Sequence, residues 1–219
     1  MDHCIVCNCS SSTYKQGGGV FIESGSSALM NRCVISNCTN SGVNGQGGGS
    51  ALMMGGGTVR NCLFVDNHLT GGAVSGTVHI GGGVLESCTV GGNDAIRCAG
   101  VCAGGGTVRN SLIAVCTTTG SETSAEAVWA GTASCFDTCM SDVTRINGKC
   151  DQASADQIFK SVTHGNYKLC QDSAAKDKGM VLPWMLDGVD LAGNPRLRGS
   201  GPDLGCYEFW GLGLMLIVK

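Results

Sequence analysis

The feature that most constrains this chain is a short repeat that returns several times in its N-terminal half. The clearest copy, GGGTVRNCLFVDN, occupies residues 55–67, and near-copies begin at Gly81 (GGGVLESCTVGGN) and Gly104 (GGGTVRNSLIAV). A further relative, SSALMNRCVISNC, occupies residues 26–38. Copies spaced about 20–50 residues apart indicate a solenoid, in which each unit packs on the next.

Aligned on its cysteine, the repeat has an apolar position three residues earlier, an Asn-rich position directly before, and another apolar position two residues later. Strict strand alternation cannot place the first apolar position and the cysteine on one face, so the Asn must bend the chain in a left-handed conformation. We therefore predict two short strands joined by an Asn turn, followed by a glycine-rich return. The predicted ladder positions are Cys33, Cys62, Cys88, Asn61, Asn110, Ile35, Phe64, Val90 and Ile113.

Stacking these units pairs each strand with its equivalent in the next coil as parallel strands. The predicted fold is all-β, a right-handed single-stranded parallel β-helix (solenoid) with an irregular C-terminal capping segment. We assign the coils to residues 1–116, irregular last coils with a loop excursion to 117–154, and an anchor-proximal capping segment to 155–219. The final WGLGLMLIVK is too short for a transmembrane helix and is interpreted as a closing strand or a truncated anchor.

Charge and cysteine content limit the partners and the cellular compartment that the chain can have. The net charge is −3, with no basic patch, which argues against nucleic acid as a partner. Fifteen cysteines in 219 residues indicate an extracellular setting or a stacked column of thiols. Ladder cysteines lie about 4.8 Å apart with parallel Cβ vectors, which favours buried thiols over disulfides. The remaining disulfide candidates are Cys4, Cys7, Cys9, Cys98 with Cys102, Cys135 with Cys139, and Cys150, Cys170 and Cys206.

Charged side chains in the coils form no acid/base pair at coil spacing. The outward column Arg60, Glu86 and Arg109 is interpreted as a solvated salt-bridge ladder rather than a catalytic site. Asp66 and Asp94 come nearest to a carboxylate pair, and both are interpreted as turn residues. We predict no catalytic or cofactor-binding residue.

Two groups of four side chains could each form a metal-binding site. Cys98 and Cys102 with Cys135 and Cys139 could mimic a zinc site, although disulfides or buried thiols are favoured. In the tail, calcium could be held by Asp187, Asp190, Asn194 and Asp203. The favoured alternative is a structural lock in which Arg196 pairs with Asp203 or Glu208 and the tail folds over the last coil. The predicted cap residues are Asp190, Arg196, Asp203, Tyr207 and Glu208.

The C-terminal sequence resembles that of a known protein family. ADQIFKSVTHGNYKLCQDSAAKDKG followed by DLAGNPRLRGSGPDLGCYEF resembles the end of bacterial right-handed parallel β-helix proteins of the choice-of-anchor type. The chain departs from that pattern at Ala174, Lys176 and Cys206. The GGGV triplets and the single FVDN are similar, more weakly, to the repeats of polymorphic outer-membrane proteins. The resemblance implies a secreted or surface-attached bacterial protein.

These observations favour an extracellular or cell-surface β-helix module, non-catalytic, that acts as a stalk or as an adhesion or glycan-contact surface of a larger bacterial protein. The alternative is a polysaccharide lyase or glycoside hydrolase of the pectate-lyase-like type. Glycans or host-surface ligands are the expected partners. Because Met1 leads directly into a worn copy of the repeat, we expect further coils upstream.

Overall fold

The computed structural model describes residues 1–12, 16–42, 48–71, 76–120, 126–141 and 150–211. The strands are β1 (Ile5–Cys7), β2 (Ser10–Ser11), β3 (Val20–Ile22), β4 (Leu29–Asn31), β5 (Val34–Ser36), β6 (Thr39–Asn40), β7 (Leu52–Met54), β8 (Thr58–Arg60), β9 (Leu63–Val65), β10 (His68–Leu69), β11 (Gly76–Ile80), β12 (Val84–Glu86), β13 (Thr89–Gly91), β14 (Asp94–Ala95), β15 (Cys98–Arg109), β16 (Leu112–Ala114), β17 (Thr117–Thr118), β18 (Glu126–Asp137), β19 (Cys139–Ser141), β20 (Cys150–Gln152), β21 (Phe159–Ser161) and β22 (Asn166–Leu169). Helical structure in these ranges comprises one short α-helix, α1 (Ala155–Ile158), and the 3₁₀ turns Val162–His164 and Pro183–Met185.

The strands stack into three parallel sheets along one solenoid axis. Sheet 1 has the order β1-β5-β9-β13-β16-β19-β20, and sheet 2 has the order β2-β6-β10-β14-β17. Sheet 3 contains the rows β3-β7-β11 and β4-β8-β12, which the long strand β15 joins, with β18 beside it. The order within each sheet follows the repeat, so successive coils place equivalent strands side by side in each row. The predicted all-β parallel β-helix is confirmed.

The predicted ladder is in register. Ile35 pairs with Phe64, Phe64 with Val90, and Val90 with Ile113, and all four side chains are completely buried. Cys33, Cys62 and Cys88 are also completely buried in the same core. The columns read from the sequence therefore line the solenoid interior.

The predicted Asn turn is a left-handed bend that recurs from coil to coil, here called the first bend. It lies between sheets 3 and 1, with positive φ at Arg32, Asn61, Ser87 and Asn110. A second bend lies between sheets 1 and 2, where Asp66 alone was predicted to be a turn residue. Its positive-φ residues are Asn8, Asn37, Asp66, Gly92 and Val115.

Thiols and hydroxyls satisfy the backbone at the first bend. The Cys62 thiol donates to the Arg60 carbonyl at 3.1 Å, while its sulfur accepts the backbone N–H of Cys33 at 3.4 Å. In the equivalent place, the Ser111 hydroxyl donates to the Arg109 carbonyl at 2.8 Å and accepts the Cys88 N–H at 3.2 Å. A bend interrupts strand pairing, and these short side chains supply the missing partners.

Asparagines perform the same task at the second bend. The Asn67 amide donates to the carbonyls of Ile35 and Val65, both at 3.0 Å, and its oxygen accepts the Cys38 N–H at 3.0 Å. Asn93 repeats the pattern in the next coil. The column that aligns with these residues continues as Cys9, Cys38 and Cys116.

The last glycine of several triplets is required by the corner it occupies. Gly83 has φ of 87°, and a Cβ there would lie 2.6 Å from the Gly57 carbonyl oxygen of the neighbouring coil. Gly57 and Gly106 share both the positive φ and a 2.6 Å approach to a carbonyl oxygen. A side chain at these corners would push the coils apart.

Parts of the chain assigned to the excursion and the closing strand lie outside the described residues, namely 121–125, 142–149 and 212–219. Between them, β17, β18, β19 and β20 extend the three sheets with parallel pairing, although β18 shifts register twice against β15. The described part of residues 117–154 is thus a continuation of the solenoid.

Candidate functional site

The C-terminal segment, residues 154–211, packs along the outer face of sheet 1. Its apolar side chains, among them Phe159, Tyr167 and Leu204, share a buried cluster with Leu63 and Leu112 of the sheet. These sheet residues point away from the solenoid core, so the segment buries a face that would otherwise contact water. A second core therefore lies outside the coils.

Hydrogen bonds hold this segment to three successive coils. The Asn61 amide donates to the Val189 carbonyl at 3.2 Å, and the Thr89 hydroxyl accepts the Cys206 N–H at 3.1 Å. Asn110 exchanges two hydrogen bonds with the Met180 backbone, at 2.7 and 2.8 Å. The segment was expected to fold over the last coil, but it lies along the flank, because the outward residues of sheet 1 are apolar enough to bind it.

Close packing against glycines brings one aromatic ring onto the coils. A Cβ at Gly91 would lie 2.5 Å from the Tyr167 ring, and one at Gly92 would lie 2.1 Å from its hydroxyl. Phe159 meets the same ring edge-on, with centroids 5.3 Å apart. Burial raises the pKa of Tyr167 to about 12, so the phenol is protonated at physiological pH.

A buried ionic network organises the segment internally. The Arg196 guanidinium, fully buried, donates to the carbonyls of Gly205 at 3.0 Å and Asp203 at 2.8 Å. Its Nε lies 3.2 Å from a Glu208 carboxylate oxygen, an ion pair that is also buried. The predicted pairing of Arg196 with Glu208 is present, whereas Arg196 reaches Asp203 through the backbone carbonyl.

The carboxylates of this network accept backbone N–H donors. Asp190 accepts the N–H groups of Asn194 at 2.7 Å and Glu208 at 2.8 Å. Asp203 accepts those of Asp177 at 2.8 Å and Phe209 at 2.5 Å. Hydrogen bonds to charged acceptors are among the stronger ones in proteins, so these acids act as fixed points for turns of the segment.

The four calcium candidates are only partly brought together. Asp190 and Asn194 bind each other, Asp203 lies in the same network through Glu208, and Asp187 is exposed outside it. Over the residues that the structure describes, no group of three or more His, Cys, Asp or Glu side chains is placed to hold a metal ion. The oxygen atoms proposed as ligands are instead hydrogen-bond acceptors of the segment.

Three acids around one guanidinium perturb the acid equilibria of the network. Burial raises the pKa of Glu208 to about 8; the Arg196 charge opposes this rise, and the Asp203 carboxylate adds to it. Burial likewise raises the pKa of Asp203, against its hydrogen bonds from Phe209 and Asp177. At neutral pH the network therefore carries a proton that an exposed glutamate would release.

A cleft of about 680 Å³ opens at the outer side of this network. One wall is the β21–β22 hairpin, which contributes Lys160 and Lys168, and the other is the end of the segment. Its aromatic lining comes from Tyr207, Phe209 and Trp210. Tyr207 and Glu208 are the predicted cap residues that line the cleft, while the lysines and the other two aromatics were not predicted.

Cations lie on the aromatic faces around the cleft. The Lys176 ammonium lies 4.0 Å from the Phe209 ring centroid, and the Arg198 guanidinium lies 4.0 Å from that of Trp210. Lys168 lies farther from Tyr207, at 5.9 Å. Each pair is attracted by the ring quadrupole, which gives the cleft a rim of positive charge in a chain whose net charge is −3.

The charged column of the coils differs from its prediction. Arg109 donates two hydrogen bonds to the Glu86 carboxylate, at 2.9 and 2.6 Å, so the expected pair exists. Glu86, however, is 2% exposed, and Arg60 stacks on Trp184 of the C-terminal segment at 4.6 Å. The column is a partly covered ion pair rather than a solvated ladder, because the segment and the arginine stems shield it.

Asp66 and Asp94 do not form a carboxylate pair. Asp66 is a turn residue with φ of 53°, as predicted, but Asp94 begins strand β14. There the Asp94 carboxylate contacts the imidazole of His68, its register partner in β10. Pairing with histidine explains why an aspartate occupies a strand on the half-exposed face.

The disulfide candidates outside the ladder are thiols in the described part of the chain. Cys4 and Cys9 align with the first and second bend columns, and Cys139 donates to the Val108 carbonyl at 3.4 Å as a further member of the first column. The side chain of Cys150 lies outside the described residues. Eight of the fourteen cysteines whose side chains are described therefore lie in the two bend columns.

Comparison of the chain with family models, with curated proteins and with solved structures found no match. Among the helices within the described ranges, none is both long enough and apolar enough to cross a bilayer.

Proposed function

We propose that the chain is a non-catalytic module of a secreted or cell-surface bacterial β-helix protein, and that its C-terminal cleft contacts acidic glycans. The observation that carries this proposal is the combination, in one cleft, of three aromatic side chains with the ammonium groups of Lys160 and Lys168. Aromatic walls with a few placed polar groups are typical of small-ligand sites. The apolar faces of sugar rings suit the walls, and carboxylates suit the lysines.

The electrostatics of the cleft support an anionic ligand. Lys176 and Arg198 add positive charge beside Phe209 and Trp210. Glu208, the acid nearest the cleft, is buried, and its raised pKa reduces the negative charge that a ligand would meet. Charge complementarity of this kind favours encounter with the correct partner and rejects neutral ones.

The scaffold supports a role in presentation. The solenoid is a stiff stack of paired strands, and the segment that builds the cleft is attached to three of its coils. The resemblance to choice-of-anchor proteins supports a bacterial surface setting. In this proposal the coils act as a stalk and the cleft as the contact surface.

Calorimetric titration tests the proposal. The full chain is titrated with a galacturonic acid oligomer and with a neutral galactose oligomer of equal length. We expect the acidic oligomer to bind more tightly, and Lys168→Ala and Trp210→Ala each to weaken it about three- to tenfold, which corresponds to roughly 0.7–1.4 kcal/mol. Lys178→Ala, an exposed lysine outside the cleft, is the matched control and should leave the affinity unchanged.

Equal affinity for the two oligomers, or wild-type affinity in both cleft variants, would contradict the proposal. Depolymerisation of the acidic oligomer during the titration, followed by the appearance of shorter products, would instead support the polysaccharide lyase or hydrolase alternative.

A further inference from the structure

Two cysteines and a histidine meet at the start of strand β15. Cys102 pairs in register with His79 of the preceding coil and with Trp129 of the next, so the three side chains form one outward column. Cys98 lies at the first residue of the same strand. Both cysteines are thiols and both are buried, Cys102 at 1% exposure and Cys98 at 4%.

A β-bulge brings the two thiols together. In a regular strand, residues four apart lie about 13 Å from each other. Strand β15 changes register between Cys98 and Val101 against both of its neighbours, β11 and β18. One extra residue is accommodated there, and the bulge brings both cysteines against Gly76: a Cβ on this glycine would lie 2.9 Å from the Cys98 carbonyl oxygen and 3.0 Å from the Cys102 Cβ.

The imidazole of His79 completes the group. It lies beside Cys102, its register partner in the neighbouring strand, and its Nδ1 atom is buried and has no hydrogen-bond partner among the described residues. The hydrogen bond from Cys98 and then the His79 bond and charge lower the pKa of Cys102, against the effect of burial. Burial and the neighbouring Cys102 raise the pKa of Cys98, so Cys102 is the thiol that ionises.

The ladder cysteines have the opposite environment. Cys62 also has thiol neighbours, Cys33 and Cys88, but it donates to backbone carbonyls and no histidine reaches it. Burial is the main cause that raises the pKa of Cys62 well above its usual range. Only thiolates react readily with peroxides, so proximity of two sulfurs is not sufficient for reaction.

We propose that Cys98 and Cys102 are a peroxide-reactive dithiol that closes to a disulfide. The Cys102 thiolate attacks one oxygen of a hydroperoxide; the O–O bond breaks, and the leaving hydroxide or alkoxide takes up the proton that the Cys102 thiol released when it ionised. Cys102 is then a sulfenic acid. The Cys98 thiol displaces its hydroxyl as water, which forms the S–S bond, so each disulfide consumes one hydroperoxide and two thiol hydrogens.

Peptide mapping offers a direct test, because trypsin cleaves after Arg97 and Arg109 and releases residues 98–109 with both cysteines. The folded full chain, fully reduced, is exposed to hydrogen peroxide, quenched, alkylated and digested. We expect this peptide to lose two hydrogen atoms and to resist alkylation. The control is within the same digest: residues 61–97 hold the ladder cysteines Cys62 and Cys88 on one peptide.

The expected rate of disulfide formation in the 98–109 peptide is about tenfold or more above that in the 61–97 peptide. Equal rates, or no disulfide in residues 98–109 while the ladder peptide oxidises, would overturn the proposal. Circular dichroism spectra recorded before and after peroxide treatment check that the protein remains folded.

Two variants test the roles of Cys98 and His79. Cys98→Ser should leave Cys102 as a sulfenic acid, which a dimedone probe labels. His79→Gln should slow the oxidation of Cys102, and dimedone should label no other cysteine in that variant. Cys88→Ser is the matched control and should leave the 98–109 disulfide unaffected. If Cys98→Ser yields no labelled Cys102, or if His79→Gln oxidises as fast as wild type, the mechanism is wrong.

Discussion

The coils and the C-terminal segment solve the same problem, the burial of polar groups, in two different ways. In the coils, neutral side chains such as Asn67 and Cys62 repeat in columns and satisfy the backbone at each bend. In the segment, a single charged network around Arg196 satisfies turns that occur once. The stability of the coils therefore depends on many weak hydrogen bonds, whereas the stability of the segment depends on a few residues.

This difference predicts where substitutions are most damaging. A buried charge that loses its partner retains its full desolvation cost, while loss of one neutral hydrogen-bonding group leaves a few backbone atoms without partners. The segment should therefore be the more sensitive region to a single change, although it has no repeat and little regular structure.

Loss of the buried guanidinium should have the largest effect. Arg196→Met keeps most of the side-chain volume but leaves the carbonyls of Gly205 and Asp203 without donors and the acids of the network without their counter-charge, and we expect a loss of about 3–5 kcal/mol in the free energy of unfolding. Denaturant titration measures it. Arg198→Met is the matched control, since Arg198 is exposed on Trp210, and it should cost about 1 kcal/mol or less. Equal effects of the two substitutions would contradict the contrast between the regions.

An intermediate effect is expected at the second bend. Asn67→Leu is similar in size but leaves the Ile35 and Val65 carbonyls and the Cys38 N–H without their partner, at about 2–4 kcal/mol. Asn67→Cys should cost less, because cysteine already occupies this column at Cys116 and Cys38. Denaturant titration of both variants gives the order of their unfolding free energies. If Asn67→Leu is more stable than Asn67→Cys, this column does not serve to satisfy the backbone at the second bend.

The smallest expected effect is a pH dependence at Glu208. The pKa of this acid is 4.5 in a model peptide and about 8 in the folded chain, so the folded state holds a proton that the unfolded chain has released in this window. Its contribution to stability is complete below about pH 4.5 and is lost as the pH rises towards 8.

Comparison with Glu208→Gln isolates this contribution. Glutamine retains an oxygen that accepts the Asp203 N–H, but it does not titrate. The difference in melting temperature between wild type and the variant should change in favour of the variant as the pH rises from 5 to about 8. Cys102, whose lowered pKa acts in the opposite direction, is present in both proteins and cancels. A difference that is constant with pH would contradict the raised pKa.

Much of the solenoid could be predicted because its constraints repeat. The three-residue offset between Met30 and Cys33 requires a bend, and the same offset in every copy makes the inference independent of any one residue. The second bend was predicted only at Asp66, because the column that follows it, Cys38, Asn67, Asn93 and Cys116, mixes cysteine with asparagine and gives no apolar offset. Column averaging works only where the chemistry of the column is uniform.

The site was harder to predict than the fold. Arg196, Asp203 and Glu208 were identified as cap residues from the family resemblance, but the cleft depends on Lys168 and Trp210, which approach each other only after the segment has folded on sheet 1. The burial of Glu86 has the same origin. Tertiary contacts between distant parts of the chain leave no periodic signal in the sequence.

The high cysteine content does not by itself indicate an extracellular setting. The thiols of Cys33, Cys62 and Cys88 have a structural role at the first bend, so their number does not require an oxidising compartment. The proposed surface location therefore depends on the resemblance of the C-terminal segment to surface proteins, and the behaviour of Cys98 and Cys102 towards oxidants becomes the more informative property.

The attachment of the C-terminal segment to Asn61, Thr89 and Asn110 has a consequence for how the molecule comes apart. A bare stack of repeats interacts only with nearest neighbours and can fray from either end. Here one strap crosses three turns of the stack, so none of them can open without first releasing it. Mechanical force applied along the axis would then meet a single high barrier in place of a series of small steps.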